Sequence, residues 1–328
     1  MVLECAGAET QKHNNTCESQ HANTTTREHH MSDAHLFTGA APALVTPFTD
    51  EDDIDENAFR RLIDAQIEAG VDGLVVLGTT GENPTVSHEE RRLVTDLAVE
   101  QAEGRVPVVM GTGTNSTRES VRFSKEAARA GADGLLVVGP HYNKPTQEGF
   151  FRHVAAVADA APDCPIIVYN VPGRTSFNVE ADTMLRLAEK VPGVAGVKEA
   201  SGDLEQITDL LARRPDGLAV YSGDDEMTLP LVALGGDGVV SVLSNVLPQR
   251  FSTMVRAALD DRIAEARRRH LTLLPAMRAC FFQTNPLPVK AVLADEGRIT
   301  GRVRLPLAPM GESTRRRVLD AFAPFLGG

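Results

Sequence analysis

From about residue 40 onward the chain alternates two kinds of segment. A short apolar run without polar alternation is followed by Gly, Thr, Asn or Pro, and then by an amphipathic stretch with helical spacing. Unbroken runs of this length predict strands covered on both faces, as in a parallel sheet flanked by helices. Eight occur, at 39–45, 73–77, 106–110, 134–138, 165–169, 194–197, 218–221 and 238–242. Clear helical stretches among them cover 53–70, 87–102, 116–131 and 146–161, with Ser87–Glu90 and Ser116–Glu119 at capping-box spacing. Eight βα units and no second kind of module predict a (β/α)8 TIM barrel over residues 35–258 rather than an open doubly wound sheet. Past that point helical patterns continue without strands, so residues 259–328 are expected to form a C-terminal helical appendage packed on the barrel. That reading overrides the prior of two similar domains that length alone suggests.

The first 34 residues have a different composition. They are rich in Asn, Thr, Gln, Glu and His and show no apolar period, so disorder is expected, and they lack the apolar core of a signal peptide. Met31 opens a stretch that reads like a natural start, which would make residues 1–30 an upstream start-site artefact. The Asn14 and Asn23 sequons and the His29, His30, His35 group could hold a glycan or a metal in another context. With no framework to fix the ligands, no metal site is expected there.

Composition narrows the class of function. Of 328 residues, 42% are hydrophobic and 24% charged, and the net charge is −12, a sign that argues against nucleic acid or anionic lipid as partners. Lysine is scarce, six copies among 33 basic residues, an acid-rich balance that also fits a chain kept soluble at high salt. The four cysteines form no C-x-x-C pair, which fits a reducing cytoplasm. No apolar run approaches the ~18 residues of a membrane-spanning helix. No Walker, complete dinucleotide-binding or zinc-protease motif is present, so no cofactor or metal is expected.

In a barrel of this kind the loops at the carboxyl ends of the strands carry function. Those ends read GTTGE (78–82), GPHYNKP (139–145), YNVPGRT (169–175), KEASGD (198–203), YSGDD (221–225) and LSN (243–245). Lys198 follows its apolar run directly, so its stem starts inside the barrel mouth. Desolvation there would lower the amine pKa by ~3–5 units and produce the neutral nucleophile that attacks a carbonyl. The same lysine could instead snorkel to solvent or pair with Glu199. Tyr169 ends the preceding strand and would place a phenol beside Lys198, with Thr79 and an exposed Tyr142 as relay partners. Tyr221 reads as an ordinary barrel tyrosine. Thr79 and Thr80 lie in a Gly-flanked turn suited to a small carboxylate. Arg174 could clamp a second carboxylate or simply lie on the surface. The acids after strand seven disfavour a phosphorylated substrate.

These motifs, in this order over residues 36–328, resemble the dihydrodipicolinate synthase and N-acetylneuraminate lyase superfamily. The resemblance implies a pyruvate imine on Lys198, proton transfer by Tyr169, and a relay completed by Thr79 and Tyr142. Thr80 and Val240 would contact pyruvate and Gly223 would line the pocket. In that superfamily the tyrosine matching Tyr142 reaches a neighbouring subunit, implying a homo-oligomer, a tetramer or dimer. Arg174 favours the synthases, in which it is thought to hold the carboxylate of aspartate semialdehyde, over aldolases that release pyruvate from 2-keto-3-deoxy sugar acids. A non-catalytic ligand-binding barrel remains as a reading of another class. At the superfamily's lysine-feedback site this chain carries Asn83, Pro84, His88, Arg91, Asn115, Glu119 and His141. Arg91 adds positive charge near a cationic effector, and His141 stands where an aromatic residue is common, so feedback inhibition by lysine is put in question.

Overall fold

The structure, a computed structural model, describes residues 35–326. The expectations placed on residues 1–34, including the start at Met31 and both sequons, lie outside the described residues. Eight parallel strands form one sheet: β1 (Gly39–Pro42), β2 (Leu74–Val76), β3 (Val108–Gly111), β4 (Gly134–Val138), β5 (Ile166–Asn170), β6 (Val194–Glu199), β7 (Ala219–Ser222) and β8 (Gly238–Ser241). Neighbours pair in the order β1-β8-β7-β6-β5-β4-β3-β2, and an Ala43–Val75 bridge with Leu44 N–H donating to Val75 O at 2.8 Å closes the ring. The fold is the expected TIM barrel.

The unbroken apolar runs have a direct cause. Side chains alternate across a strand, so Val75, Val109, Leu136 and Ile167 fill the barrel, while Leu74, Val76, Val108, Leu135 and Val137 face the surrounding helices. Both faces are buried, and both need apolar residues. Phe37 and Tyr221 stack at 4.3 Å, and the Tyr221 hydroxyl donates to Phe37 O at 2.7 Å. Tyr221 is therefore the ordinary barrel tyrosine expected.

Helices start where the sequence signals them. Ser87 caps the helix His88–Ala102 with a full capping box, its hydroxyl accepting from Glu90 N–H and the Glu90 carboxylate accepting from Ser87 N–H. At Ser116 only half of the expected box forms. The hydroxyl accepts from Glu119 N–H at 3.4 Å, but the Glu119 carboxylate turns to Arg122 at 2.7 Å, because a charged partner outcompetes a backbone donor. Beyond the barrel's last helix (Pro248–Leu259), helices Ile263–Ala279, Leu287–Asp295 and Glu312–Leu326 form the C-terminal region.

Candidate active site

Lys198 lies within β6, with Tyr169 of β5 and Tyr221 of β7 beside it in register. Its side chain is buried and its Nζ lies 4.0 Å from the centroid of the Tyr169 ring. Neither bland alternative for this lysine holds. Glu199 points to the other face of the strand, where its carboxylate accepts from Ser201 N–H at 2.6 Å, from Asn170 and from Gln206. Burial pushes the Lys198 amine down to about 7, an effect the Asp225 charge opposes and the Arg174 charge reinforces. Burial pushes the Tyr169 phenol up to about 12, partly offset by Arg174 and by the Thr79 hydroxyl. The site thus holds a partly neutral amine beside a phenol that keeps its proton.

A cleft of about 120 Å³ opens over the lysine. Thr79, Thr80, Tyr169, Arg174, Lys198 and Gly223 all line it, so six of the eight sequence-predicted residues meet in one place. Arg174 is exposed and its guanidinium has no carboxylate partner among the described residues. Gly223 is required by space. A Cβ there would fall 2.8 Å from Ala200 Cβ and 3.0 Å from Lys198 Cε.

Two expected residues stand elsewhere. Val240 is buried among the barrel-filling side chains with Tyr169, and Val242, two residues on along the same chain, lines the cleft instead. Tyr142 does not approach the cleft of its own chain. It is 89% exposed, at φ +69° in a loop where Lys144 is also left-handed.

Three contributors escaped sequence reasoning. Asp225 reads as one acid of a surface loop, yet it is buried and accepts from Leu243 N–H at 2.8 Å and Val242 N–H at 3.2 Å. Burial raises its carboxyl to about 6. Phe281 and Asn285 reach the cleft from the C-terminal region, and Asn285 Nδ2 donates to Thr80 Oγ1 at 2.8 Å. No local signal marks either, since each acts across about the whole length of the barrel sequence.

A wider groove of about 530 Å³ adjoins the cleft and shares Thr79, Tyr169 and Arg174 with it. It brings together His88, Arg91, Asn115 and His141. Arg91 is nearly buried, donating to Gly111 O at 3.0 Å and to Asn83 Oδ1, with its guanidinium 4.1 Å from the Phe123 ring centroid. Glu119 pairs with Arg122 at 2.7 Å and lies 3.7 Å from His88.

A TIM barrel with a desolvated lysine and a phenol at its strand ends defines a Schiff-base lyase that works on a carbonyl substrate. Residues 36–323 match the dihydrodipicolinate synthetase family, and the chain belongs to that family. It is 67% identical over 294 residues to a 4-hydroxy-tetrahydrodipicolinate synthase of Salinibacter ruber, covering 89% of this chain and 97% of the relative. A second synthase so named, from Syntrophus aciditrophicus, is 49% identical over 283 residues, with 86% and 96% covered. The crystal structure of dihydrodipicolinate synthase from Thermotoga maritima superposes with a TM-score of 0.86 at 41% identity, covering 88% of this chain and 99% of that one.

Proposed function

We propose that this enzyme joins pyruvate to L-aspartate 4-semialdehyde and releases 4-hydroxy-tetrahydrodipicolinate. Lys198 adds to C2 of pyruvate and water leaves, giving an iminium. Loss of a C3 proton yields the enamine, whose C3 attacks the aldehyde carbon while the aldehyde oxygen takes up a proton. The amine of the bound semialdehyde skeleton then attacks C2, closes the ring and frees Lys198. Tyr169 carries the protons, because its phenol stays protonated and sits against the amine. Thr79 relays to it, while Thr80 contacts pyruvate and Val242 lines the cleft.

The observation that carries the choice of aldehyde is the Arg174 guanidinium, unpaired at the mouth of the cleft. A bidentate fork of this kind suits a carboxylate better than a neutral polyol. In an assay with pyruvate, aspartate semialdehyde is expected to turn over far faster than glyceraldehyde, and Arg174→Leu should erase most of that preference. Equal or better use of glyceraldehyde would favour the sugar-acid aldolase reading instead.

Gly223→Ala tests the fit around the lysine stem. The added methyl crowds Ala200 Cβ and Lys198 Cε. A displacement approaching 1 Å at the reacting atom is expected to cut kcat/KM by about 10²-fold. Circular dichroism should show the fold retained, and kinetics within twofold of wild type would mean the stem has room to spare.

The exposure of Tyr142 supports its use by a second copy of the chain, which makes the working form a homo-oligomer. Among the described residues no helix is long and apolar enough to cross a membrane, which is compatible with a cytoplasmic enzyme. Arg91 in the groove adds positive charge near the place of a lysine ammonium, and Glu119 is shared with Arg122, so feedback inhibition by lysine stays in question.

A further inference from the structure

Thr80 and Asn285 are 205 residues apart, yet their side chains are buried and bonded at 2.8 Å, with Asn285 Nδ2 as donor. A hydroxyl has one proton and two acceptor positions. With one acceptor position taken by Asn285, the Thr80 rotor is pinned and its proton stays free for an oxygen in the cleft that both residues line. Asn285 Oδ1 has no partner among the described residues. The opposite amide orientation would let that oxygen take the Thr80 proton and leave none for a ligand.

The same turn is held a second time. Glu82, two residues past Thr80, is buried and accepts from Lys290 Nζ and from Arg304 N–H at 3.1 Å. Lys290 also donates to Arg302 O at 2.8 Å. Both tethers start beyond residue 280, outside the barrel strands, and both end on the 78–82 turn.

We propose that Asn285 is a positioning residue that presents the Thr80 hydroxyl to the pyruvate carboxylate. The C-terminal helical region is then a working part of the pyruvate pocket and not only a cover for the barrel. This rests on the reading of Lys198 as the imine-forming amine and of Thr80 as a carboxylate contact, and the test separates the two. Borohydride delivers hydride to the iminium carbon and fixes the pyruvate-derived mass on the protein. The extent of trapping against pyruvate concentration, read by intact mass on the full-length chain, gives a half-saturating concentration.

Asn285→Ala is expected to raise that concentration about tenfold, the effect of one lost hydrogen bond to a charge-binding hydroxyl, with the maximum extent of trapping unchanged. Asn285→Asp offers only acceptors and should raise it at least as much. In a Thr80→Val background Asn285→Ala should add nothing, because its effect runs through the missing hydroxyl. Asn285→Ser keeps a small hydrogen-bonding group, should fall between wild type and alanine, and serves the same comparison if alanine proves unable to fold. An unmoved half-saturation in the single variants, or full additivity in the double variant, overturns the proposal alone. Failure to trap pyruvate on the wild-type chain overturns the imine reading and the proposal with it.

Discussion

Replacing Lys198 by alanine or methionine is expected to lower kcat/KM by more than about 10³-fold, the scale for removing a covalent nucleophile. Borohydride with pyruvate should then add no mass to the peptide carrying residue 198. The same substitution bears on stability. The amine titrates near 7 in the folded chain, far below its ordinary 10.5. Between those values the unfolded chain binds more protons, so stability rises with pH across that window and the burial penalty is fully present below pH 7. Lys198→Met keeps most of the stem's volume and removes the penalty. It is expected to gain a few kcal/mol below pH 7, at ~1.4 kcal/mol per pKa unit, and nothing above pH 10.5.

The wild-type pH profile follows from the same values. Only the neutral amine attacks, so kcat/KM for pyruvate should rise through an acid limb near pH 7. The Tyr169 phenol, held at about 12, should cause no alkaline loss below that region. A retained tenth of wild-type activity in Lys198→Ala, or an acid limb above pH 9, would remove Lys198 from the mechanism.

The second large effect concerns a lysine that does no chemistry. Lys290 and Glu82 are paired with both side chains 1% exposed, and Lys290 Nζ lies 4.3 Å from the Phe48 ring centroid. Arg304 lies over the same ring at 4.2 Å. Lys290→Met leaves the Glu82 carboxylate buried without its counter-charge, so the chain is expected to lose about 3–5 kcal/mol. Urea and thermal midpoints measure it. Lys290→Met combined with Glu82→Gln removes both charges and should recover much of the loss, because the penalty comes from the unmatched charge more than from the missing bond. A single variant as stable as wild type would show that Arg304 N–H satisfies Glu82 unaided.

The sequence exposed the barrel because strands buried on both faces leave unbroken apolar runs, and βα alternation admits few topologies. It exposed Lys198 and Tyr169 because a polar reactive residue at the end of such a run has only the barrel mouth to occupy. Scarcity helped, but only to a point. Lys290 is as buried as Lys198, and composition alone does not separate the lysine that pairs with Glu82 from the one left free beside Tyr169.

Other features needed the third dimension. Val240 and Val242 share a parity along the chain, but β8 ends at Ser241 and the backbone turns helical at Val242, so the two side chains pack in different clusters and Val242 reaches the cleft edge. Asp224 and Asp225 are adjacent acids, and local backbone geometry turns one to the cleft edge and the other into a cage of backbone N–H donors. Tyr142 was legible as a reactive residue, but its own chain gives it nothing to act on.

What the sequence determined by itself was the periodic part of this protein: element types, their order, the closed parallel barrel, and the placing of a lysine and a phenol at adjacent strand ends. These depend on short-range pattern, unbroken apolar runs followed by amphipathic stretches with helical spacing. What only the tertiary structure decided was how residues 80 and 82 meet residues 285, 290 and 304, and which buried lysine is left unpaired. Hydrogen bonds and ion pairs across two hundred residues leave no periodic trace, because one Asn or Glu in a loop reads the same whether it faces solvent or a partner.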